Sequence, residues 1–219
     1  MKKILCVSYR SWAIKIFDML EESMSDHDFK IIRNKEDYSD EQLFEFEPDL
    51  VLWYGWSWKI PLEIINKYDC LCLHPSPLPK YRGGSPIQNQ IINNEKVSAV
   101  TIFKMSEGFD DGDIIFQAPI SLSGGVEDVF KRMEEIGFSA TYSLISSGYS
   151  LTKQDHSEAS VYKRRKQSDS EITIDEITNK PAEYIYNKIR MLRDPYPNAY
   201  IVDKFGRKLF ITQAFLEED

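Results

Sequence analysis

Only three histidines occur among the 219 residues, and one of them stands apart. His74 ends the apolar run CLCLH and is followed by Pro75, Pro77 and Pro79, which restrict the backbone and so hold the imidazole in one direction. Farther along, Asp110, Asp111 and Asp113 crowd the loop FDDGDI around Gly112. A carboxylate beside a histidine fixes its tautomer and stabilises its charged form, which is the pairing that general acid–base catalysis requires. Taken singly, His74 fits a satisfied histidine at a strand end, and Asp111 and Asp113 fit turn residues around a glycine. His27 and His156 lie in polar segments and read as surface residues.

Cys70, Cys72 and His74 occupy positions i, i+2 and i+4 of one strand, so their side chains share a face. That spacing permits a Cys72 thiolate activated by His74, in a thiol acyltransferase or hydrolase. It equally permits two small core hydrophobes, the reading we adopt for Cys70 while leaving Cys72 open. A zinc site built on these three lacks a fourth ligand, and no paired C-x-x-C or H-x-x-x-H spacing exists, so no metal is expected. The aromatic run Trp53-Tyr54-Gly55-Trp56-Ser57-Trp58 is either core packing or a platform for a flat ring. The turn after the first strand lacks the G-x-G-x-x-G fingerprint, so a dinucleotide is not implied. Lys163–Lys166 reads as a solvated linker.

These residues need elements to position them. Apolar runs at Ile4–Ser8, Phe29–Ile32, Leu50–Tyr54, Cys70–His74, Val97–Met105 and Ile114–Ser121 predict strands. Helical patterns at Trp12–Met24, Pro61–Lys67, Pro86–Asn93 and Val126–Ser147 alternate with them, Pro61 suiting a first helical position. The alternation predicts an α/β, Rossmann-like fold with a mainly parallel sheet covered on both faces. Ligands then bind beyond the carboxyl ends of the strands, where His74 lies. Residues 1–150 read as this domain. Residues 151–219 read as a linker and small C-terminal α+β region, with a helix at Ala182–Leu192 closed by Asp194-Pro195-Tyr196-Pro197, and strands at Ala199–Val202 and Lys208–Thr212. A hydrophobic content of 42% supports a packed core, and a net charge of −8 opposes a general grip on nucleic acid. No apolar run is long enough to span a bilayer, and three cysteines in apolar strands fit a reducing compartment. A cytoplasmic protein without membrane contact is expected.

HPSPLPKYRGGSPI, the following VTIFKM and the FDDGDI loop together resemble the formyltransferases that use 10-formyltetrahydrofolate. The family pattern is N-x-H-P-S-L-L-P-x-Y-R-G, a V-T-x-x-x-M strand and an L-D-x-G-D loop, and the later KRRKQSDSEI, IRMLRDPYPNAY and RKLFITQA also resemble family segments. Members include methionyl-tRNA formyltransferases, which carry a larger C-terminal domain. An acidic 219-residue chain is more similar to the sugar N-formyltransferases, which formylate an amino group on a nucleotide-linked sugar destined for a surface polysaccharide. The resemblance implies that His74 is the acid/base and Asp110 the aspartate that orients it. It places Ser57, Trp58 and Lys59, with Ser106, Glu107, Gly108, Phe109 and Asp110, where relatives bind the folate, and it permits a homodimer built through the C-terminal region. Cys72 departs from the pattern, because relatives carry an asparagine there that donates to the developing oxyanion. Another donor has taken over, the enzyme is slower, or the chain binds folate or sugar without turnover; the intact His74 and Asp110 favour the first.

Overall fold

A computed structural model describes residues 1–193 and 196–217 of the chain. In chain order the first part runs β1 (Lys3–Val7), α1 (Ser11–Ser23), β2 (Asp28–Ile32), α2 (Asp40–Phe46), β3 (Leu50–Leu52), α3 (Leu62–Lys67) and β4 (Cys70–His74). It continues through β5 (Arg82–Gly83), α4 (Pro86–Ile92), β6 (Val97–Lys104), β7 (Ile114–Ser121) and α5 (Val126–Ser147). The remainder comprises β8 (Val161–Tyr162), α6 (Ile174–Asn179), α7 (Ala182–Arg190), β9 (Ala199–Val202) and β10 (Lys208–Ile211).

Six strands form the central sheet in the order β2-β1-β3-β4-β6-β7. The pairings among β2, β1, β3 and β4 are parallel, whereas β4–β6 and β6–β7 are antiparallel. The α/β reading with a mostly parallel sheet therefore holds, and an antiparallel pair completes one edge. Alternation along β1 shows both faces covered. Ile4 and Cys6 join Ile16, Phe17 and Leu20 of α1 and Val129 and Met133 of α5, while Leu5 and Val7 join Leu43 of α2 and Ile64 of α3. Each such large apolar side chain, taken fully out of water, contributes about 1.5–3 kcal/mol. On β4 the alternation sends Leu71 and Leu73 to the α1/α5 face, and Cys70 to the α2/α3 face. Cys72 and His74 share the pleat of Cys70.

Several local readings shift. Pro61 caps α3 rather than beginning it. Helix α2, absent from the apolar pattern, is set by its cap: Ser39 Oγ accepts the Gln42 N–H at 3.2 Å, with Asp40 and Glu41 in the first turn. Residues 152–193 and 196–201 pack on the first part rather than trailing from it. Thr152 bridges Ile114, β8 pairs in parallel with β5, and Ile172, Ile189 and Leu192 enter the same core as β1 and α5. Lys163–Lys166 is thus no free linker, since its backbone follows β8 across the Gly83-Gly84 loop, where the Arg164 Cα lies 2.4 Å from the place of a Cβ on Gly84. Of the expected Asp194-Pro195-Tyr196-Pro197 stop, Asp194 and Pro195 lie outside the described residues. Strands β9 and β10 form an antiparallel hairpin with Leu209 and Phe210 exposed. Among the described residues no helix is long and apolar enough to cross a membrane.

Candidate active site

Strand β4 delivers His74 to the carboxyl edge of the sheet, where the ring is 6% exposed. The following loop is tied down along its length. Thr101 Oγ1 donates to Ser76 O at 2.6 Å, Gln117 Nε2 to Leu78 O at 3.0 Å and Gln90 Nε2 to Pro75 O at 2.9 Å. The loop then folds back so that the Tyr81 carbonyl lies 2.8 Å from His74 Nε2. Because a carbonyl only accepts, Nε2 carries the hydrogen, and Nδ1 is the nitrogen left for proton exchange. Nδ1 faces Asp110 Oδ2 at 3.5 Å.

Asp110 reaches this position from the loop between β6 and β7. Its Oδ2 also accepts the Gly83 N–H at 2.8 Å, and its backbone is left-handed at φ 52°. A non-glycine residue there is strained by about 1 kcal/mol or more, tolerated best by Asp and Asn. Gly112 is a steric necessity, since a Cβ there would lie 1.8 Å from the Lys104 backbone carbonyl, whereas a Cβ on Gly108 would meet only the Asp111 carboxylate, at 1.9 Å. Gly83, at φ 90°, has the Tyr162 carbonyl 2.4 Å from where a Cβ would stand. The two glycines of YRGG are therefore where β8 and the segment after it lie against the loop.

Cys72 sits one pleat below His74. Burial, and then the charge of Asp110, push its thiol well up, and its Sγ donates only to Leu73 O at 3.7 Å. A thiol held neutral in this way is a poor nucleophile. Cys70 is core as expected, its thiol pushed up to about 11, chiefly by burial. Two of the three amides of α4 do not stand in for the family asparagine: Asn89 Nδ2 donates to Gly84 O at 2.9 Å, and Gln90 Nε2 to Pro75 O and Pro86 O, while the third, Gln88, is buried.

The two segments proposed to hold a folate approach one hydrophobic cluster. Trp56, just before Ser57–Lys59, and Met105, just before Ser106–Asp110, both pack on the core of Trp53, Ile60 and Cys70. Trp53 and Tyr54 are buried, whereas Trp58 is exposed, its ring 4.7 Å from Trp56 and 4.9 Å from Tyr9. Ser57 Oγ hydrogen-bonds the Tyr9 hydroxyl and accepts from Arg164 Nη2 at 2.8 Å. Lys59, Glu107, Gly108 and Phe109 are exposed, and Ser106 Oγ donates to Asp111. A cavity of about 820 Å³ opens elsewhere, between β7 and α5, lined by Phe116, Ser139 and Tyr149 and by none of these residues. Neither His74 nor Asp110 lines it. Arg82, Arg164 and Gln154 were not singled out as site residues; Arg82 lay within YRGG and Arg164 within KRRKQSDSEI, and Gln154 carried no signal. His27 lies away from the site beside Asp26, while His156 Nδ1 lies 3.2 Å from Arg82 Nη2. Among the described residues no cluster of three metal-ligating side chains occurs.

An open, mostly parallel α/β sheet with a His–Asp pair beyond a strand end is an architecture suited to group transfer. Residues 13–143 match the family model for formyl transferases, and the chain belongs to that family, which takes its formyl group from 10-formyltetrahydrofolate. It is 35% identical to the methionyl-tRNA formyltransferase of Halalkalibacterium halodurans over 168 residues, covering 73% of this chain and 51% of that protein. The chain spans between 51% and 60% of the length of the curated relatives it matches. The solved methionyl-tRNA formyltransferase from Clostridium thermocellum is 33% identical with a TM-score of 0.90, covering 99% of this chain and 94% of that one. A sugar N-formyltransferase from a Shewanella species shares the fold at a TM-score of 0.78 and 20% identity, with 100% of both chains covered.

Proposed function

We propose that the protein is an N-formyltransferase that moves a formyl group from 10-formyltetrahydrofolate to the amino group of an amino sugar, in the cytoplasm. The facing of His74 Nδ1 and Asp110 Oδ2 across 3.5 Å carries this reading. A neutral amine attacks the formyl carbon, forming a C–N bond and a tetrahedral oxyanion. His74 Nδ1 takes the amine's proton, and the doubly protonated ring is then satisfied on both edges, by Tyr81 O and by Asp110. Collapse breaks the bond to N10 of the folate as that nitrogen receives the proton, leaving the formamide and tetrahydrofolate. Ser57, Trp58 and Lys59 and the Ser106–Asp110 loop hold the folate in this reading. A nucleotide-linked sugar is the favoured acceptor, because a chain of net charge −8 is poorly suited to a polyanion such as tRNA. The second reading, a methionyl-tRNA acceptor, is favoured by the 33% identity and TM-score of 0.90 to the Clostridium thermocellum enzyme. Exposed Leu209, Phe210 and Phe215 around the β9–β10 hairpin supply an apolar surface for a homodimer, readable by sedimentation. The protein, 10-formyltetrahydrofolate and a panel of nucleotide-linked amino sugars, with initiator methionyl-tRNA beside them, should give one formylated product by mass. Its loss in His74→Ala supports the reaction class; turnover that survives this change refutes the assignment.

A further inference from the structure

We infer that Gln154 is the positioning residue that sets Asp110 against His74. The inference rests on the proposed reaction and adds to it a part contributed from outside the strand-and-loop motif. Gln154 is 5% exposed, although it comes from a polar stretch with exposed neighbours on both sides. Its Nε2 uses both hydrogens on the β6–β7 loop, donating to Asp110 O at 2.9 Å and to Gly112 O at 2.7 Å. Its Oε1 accepts from Arg82 Nε at 3.2 Å and Nη2 at 2.6 Å. Arg82 in turn lies between Tyr81, whose carbonyl meets His74 Nε2, and Gly83, whose N–H meets Asp110 Oδ2.

One amide therefore ties together the two backbone segments that supply the histidine's partners. It is saturated by them: two donors and one acceptor oxygen all point inward, with none toward solvent. The need for such a tie is visible in the backbone. Asp110 is left-handed at φ 52°, a conformation that persists only where surrounding contacts hold it. Gly112 fixes one side of the loop by lying against Lys104 O, where no side chain fits. Gln154 fixes the other. Without its two N–H donors the Asp110 and Gly112 carbonyls would be buried and unpaired, and the loop would turn to satisfy them, carrying the carboxylate off Nδ1.

Two variants separate positioning from general support. Gln154→Leu removes every bond. Gln154→Glu keeps the acceptor for Arg82 but presents oxygen to two carbonyls, so it removes only the tie to the loop. The readouts are kcat and KM for formyl transfer, the Kd for 10-formyltetrahydrofolate, and the ring ¹⁵N resonances of His74. Those resonances are assigned by single replacement of the three histidines and compared with an Asp110→Asn reference at one fixed pH. We expect both variants to bind folate within about threefold of wild type, to lose kcat by 30- to 300-fold, and to shift His74 toward the Asp110→Asn spectrum. If Gln154→Leu does not fold, Gln154→Glu alone decides. A Gln154→Glu protein with wild-type kcat and an unchanged His74 spectrum overturns the inference, showing that Gln154 only seats Arg82. If Asp110→Asn itself leaves kcat unchanged, the proposed reaction fails first, and that outcome is read independently of Gln154.

Discussion

Replacing Cys72 by asparagine should accelerate the enzyme. Cys72 lies on the same pleat of β4 as His74, within the field of Asp110, where an amide could donate to the oxyanion. The thiol there offers little, since its one hydrogen-bond contact is to Leu73 O at 3.7 Å and an S–H is a weak donor. Of the amides on α4, Asn89 and Gln90 are committed to loop carbonyls. A hydrogen bond to a charged group is worth about 1.5–3 kcal/mol. With a factor of ten for every ~1.4 kcal/mol, turnover should rise about 10- to 100-fold. Asparagine is larger than cysteine, and overpacking a partly buried position costs about 1–3 kcal/mol of stability. That penalty falls on the melting temperature, so rates are taken well below it. The assay is the initial rate of formylated product by mass at saturating 10-formyltetrahydrofolate, for wild type, Cys72→Asn and Cys72→Ala. We expect the asparagine variant to gain by the stated factor and the alanine variant to stay within about threefold of wild type. The reasoning is refuted if a folded, folate-binding Cys72→Asn gains nothing. It is equally refuted if Cys72→Ala falls a hundredfold, which would make the thiol a participant.

Three further outcomes follow from the geometry. Burial raises all three thiols, so iodoacetamide should leave the native protein almost unmodified near pH 7.5 and label it only as pH climbs above the usual thiol value of about 8.5; mass spectrometry reads this, and rapid labelling of Cys72 at neutral pH contradicts it. Trp58→Ala should raise the Kd for 10-formyltetrahydrofolate about tenfold, the loss of one stacked aromatic face, without changing the melting temperature; equilibrium titration tests it, and unchanged affinity removes Trp58 from the folate site. Glu176 meets the buried Lys188 ammonium at 2.7 Å. Burial alone would push that carboxyl up, but Lys188, the Thr173 N–H and the Tyr184 hydroxyl outweigh it and hold it low. A lowered folded value means stability that is present above the unfolded value of about 4.3 and lost as pH falls through the folded one. Lys188→Met should cost about 3 kcal/mol at pH 7, and the melting-temperature gap between wild type and Glu176→Gln should close toward pH 3; a pH-independent gap argues against the pair.

The sequence by itself determined the alternation of strands and helices, the place of His74 at a strand end, and the nearness of an acidic loop. Periodicity and composition report those features, since apolar spacing records which face of an element is buried. Helix α5 and strand β7 come out at the residues the pattern predicts, because each has an uninterrupted stripe and a clear boundary. Helix α2 escaped because its signal is a cap rather than a stripe, with Leu43 its only buried residue. Tertiary structure decided the rest. The FDDGDI resemblance pointed to Asp110, but that this carboxylate faces His74 rests on a left-handed turn and on glycines pressed against backbone oxygens. Trp58 is exposed and Trp53 buried although both rings pack on Trp56, a difference in depth that the aromatic run alone does not show. The linker that read as solvated is held by β8 against β5, a pairing of residues nearly eighty positions apart. Gln154 is the clearest case. A glutamine in a polar stretch carries no signal of burial, and its importance arises only because three carbonyl and guanidinium groups, distant in the chain, converge on one amide.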